Sequence, residues 1–247
     1  MNLEDSLLFQ FKDKIYASYC IEEKIVGSLP INDIYFVQNI YDEVKKLQPE
    51  VLLEKGFNVG QLVNSSGYTT LFNNNTATIL IQKTDSMNNF CWMGTLVHEL
   101  THVKDYYDYI SVLDYDNFVE MMKDFPFYCW TEFHAKYKGI VYMLKCARHL
   151  PQTEFRQYVR CDEDYIIRYI NDIDFRNSYN TMHLIGLILA YEHSGISLSK
   201  TTRDNLFSNF NWLKGMKQFL EKHTELISRQ EMLMLSSNLR KIFNDIQ

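Results

Sequence analysis

The sequence predicts an α+β fold, mostly helical, with one small sheet in its first third. Three observations predict it. Gly (9) and Pro (4) are scarce among 247 residues, while 46% are apolar and Tyr (17) and Phe (16) are plentiful. That mix suits long packed helices better than a turn-rich sandwich or barrel. Apolar residues also recur at helical spacing along most of the chain. Only one stretch, residues 57–84, concentrates turn formers beside β-branched and aromatic residues.

In chain order, residues 3–26 read as one or two short helices, punctuated by Gly27-Ser28-Leu29-Pro30. Asn32 or Asp33 then caps a helix over 34–47, with Ile34, Val37, Ile40, Tyr41 and Val44 as its apolar stripe. Gly56, Gly60 and Gly67 open the β region. Its strands are Tyr68 to Phe72 and Ala77 to Gln82, joined through Asn73-Asn74-Asn75. Helix resumes over 91–109, residues 111–125 form a loop or short helix, and a long helix covers 128–148. Pro126 and Pro151 mark boundaries, Pro151 opening the next helix. The remainder divides into helices at about 151–169, 174–193, 202–222 and 224–244, with no flexible linker before them.

Composition narrows the function classes. A net charge of -6 without a Lys/Arg block argues against nucleic acid as a main partner. The first twenty residues place acids before any apolar run, unlike a secretory signal, and no stretch has the apolar length of a membrane span. Five cysteines form no CxxC pair, which suits reduced thiols in the cytoplasm.

Chemistry enters at His98-Glu99-Leu100-Thr101-His102. Successive helix positions are about 100° apart, so i and i+4 lie about 40° apart on one face. His98 and His102 can therefore present two imidazoles to one zinc ion. Glu99 points aside, where its carboxylate can act on a metal-activated water as general base. Chance alone would place HExxH in about 1% of chains of this composition, by the definition of the motif. Such a site needs a third protein ligand and keeps one position open.

Three acids compete for that place. Asp108 would follow the metzincin spacing, but Asp105 stands where that pattern needs a glycine turn. Glu120 lies in a stretch rich in loop residues. Glu132, in Trp130-Thr131-Glu132-Phe133-His134-Ala135-Lys136, sits in an apolar neighbourhood where a carboxylate needs a partner, and it is favoured. The bland alternative for Glu132 is an ion pair with Lys136 one turn on. Ala135 would let this helix approach the motif helix. The motif and all three acids fall in residues 1–150, read as a catalytic domain, with 151–247 a helical region packed on it.

His98 to His102 followed by Glu132 on a later helix resembles the gluzincin branch of the zincin metallopeptidases. Glu132-Phe133-His134-Ala135 is also similar to the compact bacterial and phage-type peptidases related to the ImmA/IrrE group. The resemblance covers roughly residues 60–145 and implies a zincin-like fold, with a twisted sheet packed on the motif helix. Its edge strand, Ala77 to Gln82, would then hold an extended peptide by β-augmentation, with simple support of the core as the equal alternative for that strand.

The expected reaction is peptide-bond hydrolysis on a peptide or protein substrate. His98, His102 and Glu132 hold Zn2+, and Glu99 is the catalytic base. His193, or Tyr191 beside it, would stabilise the oxyanion. Asp105 could support a ligating imidazole, although a solvated acid is the commoner outcome. His134 is expected at the surface. The rival expectation is a non-catalytic protein that keeps the same scaffold for binding or regulation.

Overall fold

The computed structural model describes residues 3–53, 59–83, 91–171, 177–225 and 228–244. Helix α1 spans Leu3–Glu22 and strand β1 Ile31–Val37. Helix α2 (Ile40–Leu47) leads through a 3-10 turn at Pro49–Leu53 to the short α3 (Val59–Val63). Strands β2 (Gly67–Leu71) and β3 (Ala77–Gln82) come next, followed by α4 (Cys91–Leu113), α5 (Phe118–Met122) and α6 (Phe125–Ala147). The remaining helices are α7 (Gln152–Asn171), α8 (Ser178–His193), α9 (Lys200–Asn209), α10 (Asn211–Glu221) and α11 (Arg229–Asn244). The class is therefore α+β, mostly helical with one three-stranded sheet among the described residues.

The strand order is β1-β3-β2, with β1 parallel and β2 antiparallel to β3. This corrects two expectations. Ala77 to Gln82 is the central strand, not an edge. Its residues from Ala77 to Ile81 are all buried. Alternation along the strand sends Ile79 and Ile81 into the main core, while Leu80 joins Ile40, Val44 and Leu62 on the opposite face. Each of these side chains contributes roughly 1.5–3 kcal/mol on burial.

The helix expected over 34–47 is a strand followed by a shorter helix. Asn39 rather than Asn32 or Asp33 supplies the cap, accepting from the Asp42 N–H at 3.2 Å. Upstream of it, Ile34, Tyr35, Phe36 and Val37 pair in register with Ile79 to Gln82. Sheet pairing overrides an apolar spacing that also suits a helix. The helix expected over 202–222 likewise breaks at Phe210 (φ −133°, ψ 69°), whose ring turns in against Tyr169 at 5.9 Å.

Two long helices, α4 and α6, form the centre, and α8 packs against α6 beside them. Glycines set how closely they approach. A Cβ on Gly139 of α6 would lie 2.6 Å from the Gly94 carbonyl oxygen of α4, and one on Gly186 of α8 would lie 2.6 Å from the Phe133 carbonyl oxygen of α6. Ala135, expected to permit the α4 approach, is buried, and Gly94 and Gly139 also meet closely across the crossing. Asp124 caps α6 through the Phe127 N–H and also receives the Tyr115 hydroxyl. Further along the chain, the Glu225 carbonyl accepts from Tyr109, and the His223 carbonyl accepts from the Trp130 indole at 3.0 Å. One core cluster runs from Leu8 to Leu239, on both sides of residue 150.

Candidate metal centre

On α4, His98 and His102 fall one turn apart with their rings edge to face, and their Nε2 atoms are 3.0 Å apart. Helix α6 brings Glu132 opposite them. Its Oε2 lies 3.8 Å from His98 Nε2 and 3.7 Å from His102 Nε2. These three residues form a largely buried group that could hold a metal ion. The tight α4–α6 crossing makes the meeting possible, because Gly94 is one turn before His98 and a Cβ on Gly139 would also lie 3.2 Å from the His98 Cβ.

Glu99 points out of this group, as the 100° step requires. Its Oε2 accepts from the Thr69 hydroxyl of β2 at 2.7 Å. Strand β2 approaches so closely that a Cβ on Gly67 would lie 2.6 Å from Glu99 Oε1. Glycine is needed there for want of space. Helix α8 supplies a fourth residue, His183, whose Nε2 lies 2.9 Å from Glu132 Oε2 and whose ring is 5.4 Å from that of His98. A cleft of about 750 Å³ opens over His98, Glu99 and His183.

Behind the ligand group runs a buried relay. The Thr131 hydroxyl donates to Asp105 Oδ2 at 2.8 Å. With its proton so committed, Thr131 Oγ1 can only accept from His102 Nδ1, 3.0 Å away. His102 is thereby fixed as the Nδ1–H tautomer, and the lone pair on Nε2 faces His98 and Glu132. Asp105 is held from its other side by His134 Nδ1 at 2.9 Å, and the His134 ring stacks on Trp130. Asp105 is thus a buried support and not a solvated acid, and His134 is buried and not at the surface.

Thr131→Val should weaken metal binding roughly 10- to 100-fold, the usual effect of losing such a partner. Thr131→Ser, which keeps the hydroxyl, should stay near wild type. Competition with a chromophoric chelator measures both.

Burial dominates the protonation of the cluster. It holds His98 and His183 well below the ordinary imidazole range, with neighbouring imidazoles and Lys136 adding to the effect at His98 and Lys136 at His183. It lowers His102 less, because Glu132 and Asp105 oppose it. Neutral imidazole is the form that ligates a cation. Glu132 is raised by burial, against the pull of His102, Tyr128 and Lys136. Glu99 is pushed up to about 8, by burial first and the Glu132 charge second, while the Thr69 hydrogen bond works the other way. A cation beside these carboxyls would favour their charged forms.

The other expected positions lie elsewhere. Asp108 pairs with Lys104 at 2.6 Å, and Glu120 sits on the exposed side of α5. Neither belongs to the ligand group among the described residues. Glu132 does not pair with Lys136 but bonds His183. His193, expected at the oxyanion, is ten residues beyond His183 on α8, about 15 Å by helix rise. There its Nδ1 meets the Tyr137 hydroxyl at 2.9 Å and its Nε2 is 3.7 Å from Glu221. Tyr191 is fully buried.

The residue that sequence reasoning passed over is His183. A signal for it was present, because a lone imidazole inside the apolar run from Met182 to Tyr191 needs a polar partner once buried. No protein-family model, curated protein or solved structure matches the chain. No described helix is long and apolar enough to cross a membrane, and Cys20, Cys91, Cys129 and Cys146 are free thiols.

Proposed function

We propose that the chain is a zinc-dependent peptidase of zincin-like architecture. The observation that carries this reading is the convergence of His98 Nε2, His102 Nε2 and Glu132 Oε2, with His98 and Glu99 lining an open cleft. The donor set fits zinc. A tetrahedral ion with ligands at about 2.1 Å separates its ligand atoms by about 3.4 Å. The three separations here are 3.0, 3.7 and 3.8 Å. Three protein ligands leave one position for the reaction, as catalytic sites do.

Zinc would supply Lewis acidity, acidifying water and polarising the scissile carbonyl. The chain's own groups do the rest. Glu99 takes the proton of the attacking water and returns it to the leaving amine. Thr69 holds the Glu99 carboxylate in place from β2. His183, in place of His193, would serve the reacting carbonyl oxygen: its one N–H, given to Glu132 Oε2 at 2.9 Å, would have to move to that oxygen as negative charge develops on it. Strand β2 pairs with β3 on one side only among the described strands, so its free edge is where an extended peptide backbone would lie.

The 2.9 Å approach of His183 to Glu132 also supports a second reading, a closed site with His183 as fourth ligand in a protein that binds but does not cut. One set of measurements separates them. Under the peptidase reading, purified protein carries zinc, a chelator abolishes peptide cleavage, and zinc restores it. His183→Ala then keeps its zinc while kcat falls roughly 100-fold. Loss of zinc from His183→Ala, with no cleavage by wild type of any peptide pool, would overturn the peptidase in favour of the closed site.

A further inference from the structure

Lys136 lies in the wall of the same cleft, and among the described residues no acid forms an ion pair with it. Helix α6 carries three lysines. Lys138 reaches Glu23, just beyond the end of α1, at 2.8 Å, and Lys145 reaches Glu22, the last residue of α1, at 2.5 Å. Lys136 instead lines the cleft one turn beyond Glu132, and among the described residues no carboxylate forms an ion pair with it. Lys136 lines the same cleft as His98 and His183, and its charge favours the unprotonated forms of His98, Glu132 and His183. The acid that spacing alone would give it, Glu132, is bound to His183. A partly buried ammonium without a counter-ion favours an incoming anion.

The rest of the cleft agrees in sign. Asn177, Tyr179 and Asn180 bring the N-terminal turn of the 16-residue α8 to its wall, and no acid occupies that turn. The partial positive charge of the helix end is therefore not neutralised from within the helix. Among the described residues, the single carboxylate lining the cleft, Glu99, is hydrogen-bonded to Thr69.

Four residues of helix separate Glu132 from Lys136, about 6 Å of rise. An extended peptide covers that length in about two residues. We propose that the cleft selects peptides that place a carboxylate within about two residues of the scissile bond, with Lys136 as its counter-ion. This rests on the peptidase reading above. The carboxylate is either an Asp or Glu side chain or a free C-terminus.

The test uses the zinc-loaded full chain and pools of fluorescent, internally quenched octapeptides. One arm fixes Glu, Gln or Lys at each of the two positions on either side of the bond cut. The other compares a free C-terminal acid with its amide two residues from that bond. Wild type should favour Glu over Gln, or acid over amide, by about tenfold in kcat/KM, as for a hydrogen bond to a charged group. Lys136→Gln should bring that ratio near one, and Lys136→Glu should turn preference towards the Lys pool. Equal rates on all pools by wild type, or an acidic preference that survives Lys136→Glu, overturns the proposal.

Binding of the same pools to zinc-loaded Glu99→Gln, read by fluorescence anisotropy, separates the two ideas. If wild type cuts nothing, the peptidase reading fails, yet tighter binding of the acidic pools still upholds carboxylate recognition. Equal affinity for acid and amide overturns it.

Discussion

Zinc-loaded Glu99→Gln is expected to keep its metal and to lose peptide cleavage by roughly 10²- to 10⁴-fold, the range that a positioned general base contributes. The substitution is close to isosteric. The space left by Gly67 accommodates either side chain, and the Thr69 hydroxyl can donate to an amide oxygen as it does to the carboxylate. What disappears is a group able to accept a proton from water. Since Glu99 is not among the three converging ligands, metal content should not change. Metal analysis beside kcat/KM on a cleaved peptide makes the check, and a Gln variant with full activity would remove Glu99 from the mechanism.

The same glycine-to-alanine change should move stability in opposite directions at two helical positions. In α10, a Cβ on Gly215 meets nothing within 4 Å. Gly215→Ala should therefore gain up to about 1 kcal/mol from helix propensity alone. In α6, a Cβ on Gly139 would lie 2.6 Å from a backbone oxygen of α4, which cannot rotate away. Overpacking of this kind costs about 1–3 kcal/mol and outweighs the propensity gain. Because α4 and α6 would have to part at the turn that carries His98, Gly139→Ala should weaken zinc binding as well. Denaturant midpoints and chelator competition on both variants test the pair of signs. A stabilised Gly139→Ala with unchanged zinc affinity would show that the crossing is slack.

How much of this could be read in the sequence depended on range. Strand Ala77 to Gln82 and the helix from Cys91, expected to end at Tyr109 and running on to Leu113, are legible because their patterns are local and strong. The pairing of His98 with His102 was legible for the same reason, since one turn of helix is enough to set it. The strand at Ile31 to Val37 was not, because its apolar spacing suits a helix as well and only pairing with β3 decides between them. Within the site, Glu132 could be favoured from its apolar neighbours. His183 and the burial of Asp105 and His134 depend on which helix faces which. That arrangement is decided by glycine contacts such as Gly186 against Phe133, between residues 53 positions apart. His193 was preferred to His183 because nothing on the helix itself distinguishes the turn at the cleft from the turn beyond it.

The relay through Thr131 has a consequence for how an ion would be received. Because Asp105 and Thr131 choose the His102 tautomer in advance, the Nε2 lone pair is already presented when an ion arrives. Ring flipping and proton exchange are then not needed at that ligand during loading. The entropy of orienting this imidazole is met during folding, by buried groups that no ion touches. Metal uptake at His102 therefore resembles the filling of a mould more than the gathering of loose ligands.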